Sequence, residues 1–297
     1  MDRNSAVYKA RRKLQVLAHT ILPEETMAKI YGKIVLGQWM NLDQPRTFNE
    51  KISWLKIHHF PSNPLVVQCA DKYSVRDYIC QKGFGHLLVP LLGAWDSVDE
   101  IAWEQLPNAF VLKCNHGCAY NIVCHDKEKF DIPKAKRQLS GWLKEDFGVF
   151  NIEPHYSKIK RKKILCEEFL GDKITDYKFF CFNGKPKYLY VSSDLIHDRE
   201  AQIGFFHLDG TKMDMKRDDY ADIPSVSLGG GHKDMIDIST RLSGDFVFVR
   251  VDFFVVGDRF YFAELTFTPS AGMMPFNPER YDAEWGEMLE MGQDFIG

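Results

Sequence analysis

Phe246-Val-Phe-Val-Arg250-Val-Asp252-Phe-Phe-Val-Val-Gly257-Asp258-Arg259-Phe-Tyr-Phe-Ala-Glu264-Leu-Thr266 reads as two β-strands joined by a tight turn. It is the clearest hairpin in the chain. Charged groups inside so apolar a run are costly to bury unless they are paired or bind a cation. Within each strand the polar residues share a parity, so Arg250 and Asp252 share one face, as do Glu264 and Thr266. Whether the two strands agree depends on the turn. A two-residue turn at Gly257-Asp258 would place 252 opposite 263 and the two acids on opposite faces. A three-residue loop, Gly257-Asp258-Arg259, pairs 252 with 264 and 250 with 266. Opposed Cβ atoms lie about 4.5–5.5 Å apart, where like charges repel. Two carboxylates so placed make sense around a hard cation such as Mg2+. The expectation is therefore an odd-length loop and an acid pair that holds Mg2+. The competing reading pairs Asp252 with Arg250 alone and leaves Glu264 exposed.

Upstream, Lys113 ends a strand, Phe110-Val-Leu-Lys113-Cys, and is followed by the small-residue loop Asn115-His116-Gly117-Cys118-Ala119. A lysine beside a tight loop with exposed backbone N–H groups suits a polyphosphate. It matches no P-loop or G-x-G-x-x-G pattern, and a plain hairpin turn is the alternative. Lys72 and Arg76 follow Asp71 at an expected helix start over 72–82, where anions are favoured. Glu167 and Glu168 end the strand Ile164-Leu-Cys-Glu-Glu-Phe169-Leu170, whose backbone could read an adenine edge while a carboxylate takes ribose hydroxyls. Cys114, His116, Cys118, Cys124 and His125 lack the paired spacing of a zinc site.

Around these segments the pattern is α+β. Residues 5–40 have helical spacing, with Val7, Leu14, Leu17, Ile21, Met27, Ile30 and Ile34 apolar. Thr47 and Glu50 form a capping box before another helix. From residue 88 onward strands dominate, interrupted by helices near 133–145 and 233–243 and followed by a last helix near 278–291. The 297 residues carry 38 Lys and Arg against 41 Asp and Glu, a net charge of −3. That near-neutrality disfavours a nucleic-acid partner. The charged first 25 residues lack a signal-peptide pattern, and no apolar run is long enough for a membrane span. Seven cysteines, several within apolar runs, suit buried thiols in a reducing cytoplasm.

The ordered set Arg46-Thr-Phe-Asn-Glu-Lys51, Asp71-Lys72-Tyr73, Phe110-Val-Leu-Lys-Cys-Asn-His-Gly117, Asp176-Tyr-Lys-Phe-Phe-Cys-Phe-Asn-Gly184, Val249-Arg-Val-Asp252 and Glu264-Leu-Thr-Phe-Thr-Pro269 resembles the ATP-grasp superfamily. More narrowly it resembles the TupA-like ATP-grasp family of bacterial surface-polysaccharide loci, over roughly residues 45–290. The resemblance implies ATP clasped by two α+β subdomains behind a short helical N-terminal region, with divisions at 1–70, 71–170 and 171–297. Lys72 and Lys113 would contact the phosphates, and the loop around Gly117, with His116 also binding the nucleotide, would close over them. Glu167, Glu168, Phe169 and Leu170 would read adenine, and Asp176 would hold ribose with Lys178 nearby. Asp252, Glu264 and Thr266 would hold two Mg2+ ions. Arg250 and Lys178, with the backbone near Ser270 and Gly272, would act in catalysis. Thr266 stands where such enzymes generally have Asn, and Gly117-Cys-Ala where relatives often have Gly-Ser-Gly.

The implied reaction is carboxylate–amine ligation through an acyl phosphate, releasing ADP. Its substrates would be an amine and a carboxylate, as a small molecule or linked to a sugar nucleotide. The implied product is a decorated uronic-acid-containing capsule or other surface-polysaccharide precursor. A glycosyltransferase also uses acids and a divalent ion, but it calls for a D-x-D-like loop motif, of which Met213-Asp-Met215 is only a poor neighbour. A sugar kinase of ATP-grasp type is the third reading. The sequence is silent on oligomeric state.

Overall fold

The computed structural model of the chain describes residues 15–193, 201–218, 220–229 and 231–292. Its helical start is divided. α1 (15–21) and α2 (Glu24–Leu36) are separated at Leu22-Pro23, not continuous as the spacing suggested. Proline lacks the N–H that a continuing helix needs, and its ring disfavours helical backbone at the preceding residue. Val7 and Leu14 lie outside the described residues. α3 (Phe48–His58) starts on the expected capping box, with Thr47 and Glu50 each satisfying the other's backbone N–H. α4 (Pro64–Ala70) and α5 (Val75–Gln81) follow.

Two sheets then form. The first has the order β1-β4-β2-β3, from β1 (Leu91–Trp95), β2 (Phe110–Cys114), β3 (Asn121–Cys124) and β4 (Ile164–Glu168), with α6 (Ile132–Lys144), α7 (Phe147–Asn151) and α8 (Pro154–Ser157) between β3 and β4. The second has six strands, β10-β9-β5-β6-β7-β8. They are β5 (Thr175–Phe182), β6 (Lys185–Ser193), β7 (Gln202–His207), β8 (Ala221–Asp222), β9 (Phe248–Val256) and β10 (Arg259–Thr266). Among the described strands the pairings are antiparallel except β7 with β8. α9 (His232–Ser243) packs on β5, β6 and β9, and α10 (Arg280–Met288) packs on α3. One large core runs through both sheets, and a small second core gathers Met27, Ala28, Met40, Leu42 and Ile152. No helix among the described residues is long and apolar enough to cross a membrane.

The β9–β10 hairpin reaches the expected pairing by another route. Arg259 pairs with Val256, so the turn holds two residues, Gly257 and Asp258, not three. Gly257 takes φ +60°, as the first position of a type II′ turn requires. In that register Phe262 faces Phe253. A bulge between Phe262 and Glu264 then inserts Ala263, and Glu264 pairs with Asp252 and Thr266 with Arg250. Phe262 and Glu264 are two apart in sequence and lie on opposite faces, because the extra residue breaks the alternation.

α3 fixes the segment that leaves β10. Asn49, Ser53 and Lys56 recur at i, i+4 and i+7, so they share one helix face, and all three are buried. Asn49 Nδ2 donates to Met274 O at 2.8 Å, and Asn49 Oδ1 accepts from Met274 N at 2.7 Å. Ser53 Oγ donates to Gly272 O at 3.0 Å and Lys56 Nζ to Ala271 O at 2.6 Å. The segment they grip is left-handed at three successive residues, Ser270, Ala271 and Gly272. For Ser270 and Ala271 that backbone is unfavourable and needs such outside support. Thr268 Oγ1 donates to the buried Glu153 carboxylate beside this turn.

Burial pushes Lys56 down to about 8 against the pull of Glu153. It pushes Glu153 up to about 7 against Thr268 and Lys56. A lysine with a depressed folded pKa releases a proton on folding, so its contribution to stability rises with pH above about 8. A glutamate with a raised folded pKa takes one up, so its contribution rises as pH falls below about 7. Urea unfolding across pH is therefore expected to show wild type at its greatest disadvantage to a Lys56→Met/Glu153→Gln double variant between those two values. A pH-independent difference would contradict the buried placement of both groups.

Candidate active site

Strand register builds the site as rows across the second sheet. Lys178 of β5 pairs with Asp252 of β9, which pairs with Glu264 of β10. In the next row Phe180, Arg250 and Thr266 are aligned in the same way. Cross-strand partners share a face, so Asp176, Lys178, Arg250, Asp252, Glu264 and Thr266 all project from one side. Asp252 is fully buried. Arg250 grips it through two bonds, Nε to Oδ1 at 2.7 Å and Nη2 to Oδ2 at 2.6 Å. Lys178 Nζ lies 3.6 Å from Asp252 Oδ2 and donates to Asp176 Oδ1 at 3.1 Å. Arg250 also donates to Thr266 Oγ1 at 3.1 Å, and Thr266 donates to Glu264 Oε1 at 3.2 Å. Neither half of the competing reading holds as stated: Asp252 has two cationic partners, and the Glu264 side chain is 31% exposed and paired.

The turn before α5, α5 itself and the first sheet supply cations from the other side. Lys72 precedes α5, in a turn made by the Asp71 carboxylate accepting from Tyr73 N and Ser74 N, not within a helix as expected. Its Nζ lies 3.3 Å from Glu264 Oε2 and donates to Gly117 O at 3.0 Å, while its backbone N donates to Asn115 O. Lys72 thus joins the small-residue loop to the hairpin acid. Lys113 projects on the same face of the first sheet as Glu167 and donates to its Oε2 at 2.6 Å. Arg76 Nη1 is 3.4 Å from the other Glu167 oxygen. Lys113 Nζ also sits 5.5 Å from the ring of Phe254, two residues after Asp252. The two sheets therefore meet at these side chains.

Electrostatics follow from this enclosure. Burial alone would raise Glu264, yet Lys72, Lys178 and Arg250 hold its carboxyl down to about 2. Burial pushes Asp252 up, against the opposing pull of Arg250 and Lys178. Burial pulls Lys72 and Lys178 down, but their acids outweigh it and keep both ammonium groups above their ordinary range. Cys118, within the loop, is pushed up to about 11 by burial, so it holds no thiolate nucleophile at neutral pH.

Other residues singled out in the sequence fall elsewhere. His116 is buried, and its Nε2 meets Trp142 O at 3.0 Å. It faces the core below the loop, in place of the nucleotide-binding position expected for it. Gly117 stays at the loop, where an added Cβ would come within 2.7 Å of Phe147. Glu168 is exposed, and its backbone N–H is spent on Pro90 O. Phe169 packs edge-on against the ring of His125, and Leu170 is partly buried. Ser270 is exposed and Gly272 buried, in the turn held by α3. Sequence reasoning missed Lys56, Glu153 and Thr268. The available signal was Lys56 itself, one helical turn after Ile52 on the apolar face of α3.

Solved structures with a similar fold include a D-alanine–D-alanine ligase from Helicobacter pylori, 15% identical with a TM-score of 0.45, covering 82% of this chain and 69% of that one. An L-amino acid ligase from Bacillus licheniformis is 12% identical with a TM-score of 0.46, covering 84% of this chain and 56% of that one. The ADP complex of purK, an N5-carboxyaminoimidazole ribonucleotide synthetase, is 13% identical with a TM-score of 0.41, covering 73% and 50%. This chain thus spans only about half to two-thirds of those proteins. No curated protein matches it. The profile of the TupA-like ATP-grasp family matches residues 50–290. That span takes in both sheets and every side chain of the paired-acid site, and the chain belongs to the TupA-like ATP-grasp family.

Proposed function

We propose that the protein is an ADP-forming carboxylate–amine ligase that works in the cytoplasm and uses Mg-ATP. The observation that carries this reading is the Lys178–Asp252–Glu264 row, faced by Lys72 from the turn before α5 and by Lys113 from the first sheet. Five cations (Lys72, Arg76, Lys113, Lys178 and Arg250) surround four acids (Glu167, Asp176, Asp252 and Glu264). That surplus of positive charge suits a polyphosphate. The donors Asp252, Glu264 and Thr266 are all oxygen, the ligand type that Mg2+ prefers, and Glu264 is held ionised. The residues therefore fit the group. Held by these donors, Mg2+ would supply neutralisation of phosphoryl charge.

The chain's own groups have distinct tasks. Lys72 and Lys113 bind the phosphate tail and orient it. The end of β4, Glu167 to Leu170, meets the adenine, with Phe169 and Leu170 the members whose backbone is outside the β4 strand pairing. Asp176 takes the ribose, with Lys178 between it and Asp252. A substrate carboxylate oxygen attacks the γ-phosphorus, the bond to the ADP oxygen breaks, and an acyl phosphate forms. The amine nitrogen then attacks the acyl carbon, phosphate departs, and the amine loses a proton. Arg250 stabilises charge in the transfer, and the Ser270 and Gly272 N–H groups face the carbonyl oxygen; the Ala271 N–H is already spent on Thr268 O. Residues 71–170 and 171–297 form the two clasping subdomains behind a helical region of 1–70. The carboxylate belongs to a uronic acid or amino acid of a capsule or other surface-polysaccharide precursor in a bacterium.

The deciding assay combines the protein, ATP, Mg2+, candidate uronic or amino acids and hydroxylamine. A hydroxamate with stoichiometric ADP and phosphate is expected. ADP without hydroxamate or free phosphate would mean a sugar kinase, and in a parallel incubation with a UDP-sugar, release of UDP would mean a glycosyltransferase. Glu264→Gln should weaken ATP binding at least about tenfold in calorimetry with Mg2+, the scale of a lost charged contact. Without Mg2+ its ATP binding should not weaken; equal loss in both titrations would remove Glu264 from the metal site. Arg250→Ala should lower kcat by about 10²-fold. Arg250→Lys should recover part of it, since charge returns without the two-pronged grip on Asp252. Unchanged kcat in the alanine variant would exclude Arg250 from the reaction.

A further inference from the structure

Eight large apolar side chains are exposed among the described residues, and six of them lie between positions 16 and 39: Val16, Leu17, Ile21, Ile34, Val35 and Trp39. Ile21 is 72%, Ile34 66% and Trp39 65% exposed. The helix geometry explains part of this. Met27, Ala28 and Tyr31 of α2 pack into the small second core. Ile34 and Val35 come one heptad after Met27 and Ala28, so they hold the same face of α2, yet they are 66% and 49% exposed and no described residue covers them. The apolar stripe of α2 outlasts the protein beneath it. On α1, Leu17 and Ile21 are one turn apart and both bare, while Ala18 and Leu22 turn inward.

Charge is unevenly distributed along the chain. The first 40 residues carry seven Lys and Arg against three Asp and Glu, a net +4. The whole chain is −3, so the remainder is −7. Four of the seven cations, Lys9, Arg11, Arg12 and Lys13, fall within five positions just before α1. Bare aliphatic side chains and a tryptophan that follow a cationic segment in the sequence are the composition of an interfacial membrane contact. A second copy docking on this same face would oppose two net-positive segments, which disfavours a symmetric dimer here.

We infer that α1, α2 and Trp39 form a face that docks on an anionic lipid surface, with the basic segment before α1 adding electrostatic attraction. The net-negative remainder of the chain is repelled by the same surface, so the contact also sets orientation. This inference does not depend on the ligase reading.

The test is sedimentation of the full chain with vesicles of phosphatidylcholine alone or mixed with phosphatidylglycerol. The chain should pellet with the mixed vesicles, at least about tenfold better than with phosphatidylcholine alone, and should be released by salt that shortens the range of charge attraction. Ile34→Glu/Trp39→Ala should lose at least about tenfold of that binding with an unchanged thermal midpoint, because neither side chain is in the core. Failure to bind mixed vesicles overturns the inference, as does binding that the double variant retains. Self-association in light scattering that the same substitutions abolish, without vesicle binding, would assign the face to a second copy instead.

Discussion

A single added residue in β10 decides which side of the sheet the second acid occupies. Without the bulge at Ala263, the two-residue turn would put Glu264 with Phe262, on the face that packs around Phe253. Buried there, a carboxylate would lack a partner and cost several kcal/mol, on the order of a desolvated charge. With the bulge, Phe262 stays with Phe253 and Glu264 joins Asp252 and Lys178 in one row. The hairpin thus satisfies two demands that strict alternation would set against each other: an aromatic core beneath and an acid pair above.

The acid row then imposes the charge pattern of everything around it. Two carboxylates on facing strands repel, and burial makes each dearer to ionise. The protein answers with cations drawn from distant parts of the chain: Arg250 and Lys178 from the same sheet, Lys72 from the turn before α5. Because Lys72 also holds Asn115 and Gly117 through their carbonyls, the same lysine couples the small-residue loop to the acids. The charge balance and the joining of the two sheets are one set of contacts.

The sequence made most elements legible because apolar alternation and caps are local. β2 and β3 have the expected limits, and α3 begins on the expected capping box. The pairing of Asp252 with Glu264 was also legible, but for a reason that does not hold. Turn length can be guessed from Gly257-Asp258-Arg259, whereas a bulge has no mark of its own in Phe262-Ala-Glu264. The helix break at Pro23 was legible in principle and was overridden by the apolar spacing on either side. His116 shows another limit. Its neighbours Asn115 and Gly117 do meet Lys72, but adjacent residues of a loop can face opposite ways, and His116 turns into the core beside Tyr120 and Trp142.

The family-like phrase Arg46-Thr-Phe-Asn-Glu-Lys51 would be easy to read as a ligand-binding signature, and its contacts give it a different role. Thr47 and Glu50 cap α3. Phe48 packs edge-on against Phe248 and Trp285 in the core. Asn49 clamps the backbone at Met274 and donates to the Asp282 carboxylate, and Lys51 donates to the carbonyls of Gly286 in α10 and of Leu289 just after it. The Asn49 and Lys51 contacts align α3 with α10 and with the segment after the left-handed turn that follows β10. Since that turn continues directly from Thr266, any slack in α3 would be passed to the row of acids. The phrase therefore shapes the site from behind, and the groups left to meet a ligand are those whose polar ends converge between the two sheets.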